Sequence, residues 1–208
     1  MSTPAAGLTV TVPVAGQPVV VVGGGAVASR RVATLVDHGA RVGVIAPTVT
    51  PELAARAAAG EIEVRARPFV PVDADGARLV FAATDDPDVN AEVRVRARAA
   101  GAWANRADDP DDCDFTVLPA VRRGDLVVAV GTGGRSPALA AYLRRRFAEE
   151  LEGFEAVLEL LAEARVETRA EGGSSDDIDW RRAFDEGIVD LVRSGRIDRA
   201  RELLSRCR

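Results

Sequence analysis

The stretch that decides the fold is "VVVVGGGAVASRR", residues 19–31, in which four valines run into three glycines. Gly23, Gly25 and Ala28 fit the pattern G-x-G-x-x-G/A, found where a strand turns into a helix. The first glycine permits a tight turn, the second admits a pyrophosphate close to the backbone, and the small third residue lets the helix lie near the sheet. The free N–H groups that start the helix favour phosphate. The stretch predicts a dinucleotide-binding turn, with a glycine-rich turn of an ordinary α/β protein as the alternative.

Short apolar runs alternate with helical patterns from residue 18 to residue 105. The predicted strands are 19–22, 41–45, 62–65, 79–83 and 102–105, and the predicted helices are 27–38, 51–59 and 87–100. Helix ends are marked by Gly39, Gly60 and Gly101, and helix starts by Thr50 and Asp86, each of which precedes a proline. This alternation predicts a Rossmann-like α/β fold, with a parallel sheet covered by helices on both faces.

The pattern changes after Pro110. The runs "FTVLPAV" (115–121) and "DLVVAV" (125–130) predict two more strands, and apolar residues at helical spacing from Leu139 predict a long amphipathic helix with a break near Gly153. Residues 180–193 and 198–206 predict two further helices. The resulting domain prediction is a dinucleotide-binding domain at 1–112, a small strand-containing segment at 113–150 and a helical segment at 151–208.

Composition narrows the class of protein. With 47% hydrophobic and 28% charged residues, the chain is expected to be a soluble globular protein, and no apolar run is long enough to span a membrane. Its start lacks the pattern of an export signal, so a cytoplasmic location is expected. The net charge of −5 argues against a nucleic-acid partner. Every basic residue other than His38 is an arginine, so lysine-dependent chemistry is excluded.

No resident metal is predicted. His38, Cys113 and Cys207 lie far apart in the sequence and have no metal-site spacing. His38 is expected to end a helix, and the cysteines are expected to be free thiols rather than a disulfide.

One expected part of a dinucleotide site is missing. An acidic residue that accepts the ribose hydroxyls usually follows the second strand. Here Ala46, Pro47 and Thr48 occupy that position. Backbone groups and Thr48 are left to contact the ribose, so the choice between NAD and NADP stays open at this point.

Four segments together resemble the precorrin-2 dehydrogenase family, the dehydrogenase–ferrochelatase module of siroheme synthases. They are "VVVVGGGAVASRR", "FAATDDPDVN", "NRADDPDDCDFTVLPAVRRGDLVVAVGTGGRSPALA" and the arginine-rich helix that follows. The resemblance implies NAD-dependent oxidation of precorrin-2 to sirohydrochlorin, a step toward siroheme and in some organisms cobalamin. It also implies a homodimer joined through residues 113–150, with the tetrapyrrole in a cleft. Some members also insert Fe²⁺, and some carry a methyltransferase domain that this chain is expected to lack.

The resemblance further implies roles for single residues. The family's essential acid–base residue lies in an N-x-x-D turn, which is Asp108 here, preceded by Asn105. The implied cofactor contacts are Gly23, Gly24, Gly25, Ala26, Val27, Pro47, Thr48 and Thr84. The implied substrate contacts are Asn105, Thr132, Arg135 and Ser136. Arg135 and Ser136 precede a helix, where a guanidinium and backbone N–H groups suit a carboxylate, and Thr132 stands where several relatives have serine.

Alternatives of other classes follow from the same residues. A non-catalytic NAD- or ligand-sensing Rossmann dimer would need neither Asp108 nor a tetrapyrrole-sized cleft, and most acidic turns such as "DDPDDCD" are solvated surface. A short-chain alcohol-type dehydrogenase is a poor fit, because Tyr142 is the only tyrosine and the Tyr-x-x-x-Lys pair is missing. Fe²⁺ insertion stays open, since Asp108 could help to remove pyrrole protons.

Overall fold

The computed structural model describes residues 7–208, and the chain divides into two compact units, Met1–Val117 and Leu118–Arg208. The strands are β1 Pro18–Val22, β2 Arg41–Ile45, β3 Ile62–Arg65, β4 Leu79–Ala82, β5 Trp103–Arg106, β6 Ala120–Arg123 and β7 Leu126–Ala129. The helices are α1 Ala26–Asp37, α2 Pro51–Ala58, α3 Pro87–Ala99, α4 Pro137–Glu150, α5 Phe154–Ala170, α6 Trp180–Asp185, α7 Ile188–Arg193 and α8 Ile197–Arg206. Short 3₁₀ helices lie at Pro71–Ala74 and Ser175–Asp177.

The first unit is a parallel sheet of five strands in the order β3-β2-β1-β4-β5. This is the strand order of a Rossmann fold, so the predicted fold class is confirmed. The strand order reverses between β1 and β4. A crevice is expected outside the carboxyl ends of the strands at this point.

The valines of β1 explain why the strand is apolar throughout. Val19 and Val21 face α1 and α2 and pack with Val32, whereas Val22 faces the other side and packs with Val93 of α3. A parallel strand with helices on both faces has no solvent-facing side, and a continuous apolar run results.

The helix boundaries follow the signals in the sequence. Gly39, Gly60 and Gly101 have φ of 73°, 74° and 78°, the left-handed conformation that ends a helix. Thr50 and Asp86 accept hydrogen bonds from N–H groups in the first turns of α2 and α3. These predicted starts and ends are confirmed.

The second unit has a two-stranded antiparallel sheet, β6-β7, and five helices. Its core lies among α5 to α8, around Leu160, Ile188 and Leu203. The predicted break at Gly153 is confirmed, with φ of 82°. The prediction of one helix over 180–193 is wrong, because Gly187 has φ of 84° and separates α6 from α7.

The predicted strand at 115–121 is also wrong over most of its length, since β6 begins at Ala120. Phe115 packs edge-on against Phe81, with 5.4 Å between the ring centroids. Pro119 has no N–H to donate to a ladder, although its carbonyl accepts from Val130 N at 2.8 Å.

Within residues 7–208, no helix is both long and apolar enough to cross a membrane.

Candidate functional site

A cavity of about 690 Å³ opens at the carboxyl ends of β1, β2 and β4. Six of the eight predicted cofactor residues line it, and they are Gly23, Gly24, Gly25, Pro47, Thr48 and Thr84. Ala26 and Val27 begin α1 and do not line the cavity. Its volume falls within the range of cofactor pockets, roughly 300–1,000 Å³.

The three glycines of the turn have different surroundings. Gly23 has φ of 125°, and a Cβ there would overlap the carbonyl oxygen of Ala83. A Cβ at Gly24 would overlap the carbonyl oxygen of Thr48. A Cβ at Gly25 would meet no atom within 4 Å, because this residue borders the open cavity. The protein itself therefore requires the first two glycines, whereas only a bound ligand would require the third.

Helix α1 offers free N–H groups beside this turn. Among the described residues it has no side-chain cap and no acidic residue in its first turn. The other helices of the first unit, α2 and α3, are capped by Thr50 and Asp86. The uncapped end and the open space at Gly25 fit the pyrophosphate of a dinucleotide.

The cavity wall carries negative charge that the sequence analysis missed. Asp85, Asp86 and Glu92 line the cavity, and no basic side chain lies among the described lining residues. The two aspartates belong to the quoted segment "FAATDDPDVN", whereas nothing in the pattern marked Glu92. Carboxylates accept hydrogen bonds from ribose hydroxyls and repel a ribose phosphate.

Thr84 is held in the cavity wall by Asn90, a fully buried residue of α3. Asn90 Oδ1 accepts from Thr84 N at 3.1 Å and lies 2.8 Å from Thr84 Oγ1, and Asn90 Nδ2 donates to Thr84 O at 3.1 Å. Asn90 was not predicted as a site residue from the sequence. Its signal was a single polar residue at the buried positions of α3, beside Val93 and Ala97.

Asp108 lies in the turn after β5, paired with Arg106. Arg106 Nη2 donates to Asp108 Oδ2 at 2.8 Å, and Arg106 Nε donates to Oδ1 at 3.3 Å. The hydrogen bond from Arg106 lowers the pKa of Asp108, and partial burial opposes that effect. The pair in turn raises the pKa of Arg106. Asp108 is therefore a carboxylate at neutral pH.

Asn105 is buried on β5, where its amide is already bonded. Its Nδ2 donates to Phe115 O at 2.9 Å and lies 3.5 Å from Cys113 Sγ. The acidic turn is also fixed to α3, because Arg94 Nε lies 2.7 Å from Asp112 Oδ1. These contacts hold the turn that carries Asp108.

Thr132, Arg135 and Ser136 lie in the second unit, directly before α4. Ser136 Oγ accepts from Leu139 N at 3.2 Å and caps the helix, and Ser136 N donates to Thr132 Oγ1 at 3.4 Å. Arg135 is exposed. Their contact with substrate stays a prediction.

The residues considered for metal binding lie apart. His38 ends α1, with Nδ1 at 2.7 Å from Thr34 O, and Cys113 and Cys207 are free thiols. No group of three or more His, Cys, Asp or Glu side chains within 7–208 is arranged to hold a metal ion.

Known proteins resemble this chain in sequence and in fold. A family model described as "Putative NAD(P)-binding" matches residues 10–119. A siroheme synthase of Methylobacillus flagellatus is 39% identical over 191 residues, which are 90% of this chain and 41% of that protein. Siroheme synthase 1 of Aeromonas salmonicida is 39% identical over 180 residues, 86% of this chain and 38% of that protein. The chain thus spans about two fifths of the length of these relatives.

A solved structure matches over nearly the whole of both chains. The structure of SirC, precorrin-2 dehydrogenase, has a TM-score of 0.74 to this chain at 27% identity, covering 96% of this chain and 98% of that one. The chain belongs to the NAD(P)-binding family of that model, and it is similar to a precorrin-2 dehydrogenase over nearly its whole length.

Proposed function

We propose that the protein is an NAD-dependent dehydrogenase that converts precorrin-2 to sirohydrochlorin in siroheme biosynthesis. The observation that carries the proposal is the likeness to SirC over 96% of the chain, which takes in the second unit as well as the nucleotide cavity. A sensor that binds only a dinucleotide would need the first unit alone. The sensing alternative is therefore not favoured.

In this proposal NAD occupies the cavity of the first unit and supplies the hydride acceptor. The backbone at Gly25 and the first turn of α1 bind its pyrophosphate. Asp85 and Glu92 favour ribose hydroxyls over a ribose phosphate, so we expect NAD to bind more tightly than NADP. Calorimetric titration of both dinucleotides tests this preference, and tighter binding of NADP would contradict it.

Asp108 is the proposed proton acceptor. Dehydrogenation removes a hydride and a proton, so the protein must supply one base beside the macrocycle. Asp108 is ionised by its pair with Arg106, and the turn that carries it lies at the same edge of the parallel sheet as the cavity. The buried amide of Asn105 holds this turn through Phe115.

Cationic and hydroxyl groups are proposed to bind the carboxylates of precorrin-2. Arg135, Thr132 and Ser136 are candidates in the second unit. Arg31 of α1 is a further candidate, because it is half-buried, stacks 5.8 Å from the Phe81 ring centroid and has no ion pair among the described residues. Burial lowers the pKa of Arg31, and a carboxylate of the substrate would offset that cost. An Arg31→Ala variant with unchanged KM for precorrin-2 would remove it from the proposal.

We also propose a homodimer joined through residues 113–150. Five large apolar side chains of this segment are exposed by 36–51%, and they are Val117, Val127, Leu139, Tyr142 and Phe147. Exposed apolar surface of this kind favours an interface. Light scattering at micromolar concentration should give a dimer. Tyr142→Glu should weaken this dimer. Phe184→Glu is the control, because Phe184 is similarly exposed but lies outside the segment, and it should leave the dimer intact. A monomeric parent protein would contradict the proposal.

The experiment that tests the function is anaerobic absorbance spectroscopy with precorrin-2 and NAD. We expect conversion to sirohydrochlorin with matching formation of NADH. A folded sample that binds NAD without conversion would instead support a ligand-sensing dimer. Fe²⁺ added after conversion tests iron insertion, the activity that the sequence leaves open, as a rate above spontaneous metallation. Cell fractionation tests the proposed cytoplasmic location.

A further inference from the structure

Arg106 connects Asp108 to the interior of the first unit. Its side chain is only 10% exposed, whereas that of Asp108 is 29% exposed. Two guanidinium nitrogens donate to Asp108, and the third, Nη1, donates to Asp112 Oδ2 at 2.9 Å. A guanidinium bonded on both sides cannot rotate freely, so it sets the orientation of the carboxylate.

The far side of this arrangement is anchored on α3. Arg94 Nε donates to the carbonyl oxygen of Asp112 at 2.8 Å and forms an ion pair with its side chain, 2.7 Å from Oδ1. Arg94 is 15% exposed. A row of alternating charges therefore runs from Arg94 through Asp112 and Arg106 to Asp108.

The two oxygens of Asp108 differ in how firmly they are held. Oδ2 accepts at 2.8 Å from Nη2, whereas Oδ1 accepts at 3.3 Å from Nε. The weaker bond leaves Oδ1 as the oxygen able to accept a proton, while Oδ2 keeps its bond to Arg106.

We infer that Arg106 is a positioning residue of the reaction: it holds Asp108 by Oδ2 in a fixed orientation and leaves Oδ1 to take the proton from the substrate. The kinetic part of this inference rests on the proposed function. The proton would pass from a carbon or nitrogen of the macrocycle to Oδ1, and the hydride would go to NAD, the acceptor in the proposed function. Arg106 acts through Asp108 and contacts no reacting atom.

The charged groups around Asp108 define what the pair does. Arg106 lies on β5 and Arg94 on α3, and Asp109 and Asp112 lie on the same turn as Asp108. Cys113 ends this turn, and burial is the main cause that raises the pKa of its thiol. Arg106 is the cation in direct contact with Asp108. Its removal should raise the pKa of Asp108, since an opposite charge in contact with a carboxyl favours the ionised form.

The test compares Arg106→Met and Arg106→Lys with Arg98→Met. Arg98 is a matched control, because it pairs with Asp114 in the same acidic turn at 3.4 Å and is 58% exposed. The Asp108 carboxyl is titrated by carbon-13 NMR in cofactor-free protein, and kcat/KM for precorrin-2 is measured against pH.

We expect Arg106→Met to move both the NMR titration and the acid limb of kcat/KM to higher pH, because a protonated Asp108 cannot accept the proton. Arg106→Lys keeps a charge but not the two-pronged bond, so its titration should shift less while kcat falls at least tenfold. Arg98→Met should leave both curves in place.

An unchanged Asp108 titration in folded Arg106→Met protein overturns the inference, as does an equal shift in Arg98→Met. If Arg106→Met does not fold, an unchanged titration and kcat in Arg106→Lys overturn it equally. The NMR titration needs no turnover. If the titration shifts in Arg106→Met but the parent protein never converts precorrin-2, the proposed function is wrong. If the parent protein converts precorrin-2 but the titration does not shift in Arg106→Met, only the role of Arg106 is wrong.

Discussion

The side chain of Asn90 hydrogen-bonds both the N–H and the carbonyl of Thr84, the residue that lines the cavity after β4. One buried carboxamide thus fixes the path of the chain at the point where a parallel strand opens into the crevice. The contact links α3 to the cavity, so the packing of that helix and the geometry of the candidate cofactor site depend on the same residue.

Replacement of Asn90 by alanine should lower the free energy of unfolding by about 2–3 kcal/mol, because the N–H and the carbonyl of Thr84 lose their partners. Urea unfolding measures this loss. Thr84→Ser is the matched control, since it keeps the backbone groups and the hydroxyl in place. Equal stability of Asn90→Ala and Thr84→Ser would show that the contact contributes nothing measurable.

Alanine substitutions at Gly24 and Gly25 should have different effects on the stability of the cofactor-free protein. Gly24→Ala places a Cβ against the Thr48 carbonyl oxygen, so it should lower the melting temperature of the cofactor-free protein. Gly25→Ala meets no protein atom and has φ of −86°, which alanine adopts readily, so that melting temperature should not change.

Gly25→Ala should instead weaken NAD binding at least tenfold, because its Cβ occupies space that a pyrophosphate would use. Calorimetric titration measures the dissociation constant, and thermal unfolding of the same sample supplies the control. Wild-type NAD affinity in Gly25→Ala would mean that the cofactor does not approach the turn at this residue.

Asp108→Asn should leave NAD affinity unchanged and lower kcat for precorrin-2 by about 100-fold or more, the usual contribution of a general base. Anaerobic absorbance gives kcat. Asp111→Asn is the matched control, because Asp111 is an exposed carboxylate of the same turn. A folded Asp108→Asn protein with full activity would show that another group takes the proton.

Stability at low pH should depend on Asp73, a buried residue of the first 3₁₀ helix. Arg67 donates to both of its oxygens, at 2.6 and 2.7 Å, and Val70 N donates at 2.9 Å. The hydrogen bonds from Arg67, with those from Val70 and Arg65, lower the pKa of Asp73 to about 2.

A carboxyl whose pKa is depressed in the folded state stabilises the fold at any pH above its ordinary value, near 4, and this contribution fades as pH falls toward 2. Asp73→Asn should remove roughly 2 kcal/mol of that pH-dependent stability. Urea unfolding between pH 2 and 6 measures it, with Asp75→Asn, an exposed neighbour, as control. Parallel pH profiles for parent and Asp73→Asn would contradict the prediction.

The elements of the first unit could be predicted because local signals and tertiary structure agree there. Gly39, Gly60 and Gly101 end helices through their own backbone conformation, which does not depend on distant contacts. A run of valines between two helical patterns predicts a parallel strand buried on both faces. The run at 115–121 failed because Phe115 packs against Phe81, far away in the sequence, and an apolar run does not reveal which partner it packs on.

The site residues also differ in whether a local sequence signal or a tertiary contact determines their position. Gly23, Gly25 and Thr48 carry sequence signals, since motif position and the end of a strand suffice to place them at one edge of the sheet. Arg106 carries no such signal, because its role arises from hydrogen bonds that form only after α3 and the acidic turn have packed. A polar residue among buried positions of a helix, as at Asn90, is the signal that sequence reasoning could have used.

The unequal surroundings of the three glycines change what the motif itself can report. Gly23 and Gly24 are needed to bring the turn against β4 and β2, whether or not anything is bound. A descendant of this chain that had lost its cofactor would therefore keep both, under selection for folding alone, and would drift only at Gly25. In such a lineage Gly23 and Gly24 would show only common descent, whereas a glycine retained at position 25 would show that a dinucleotide still binds.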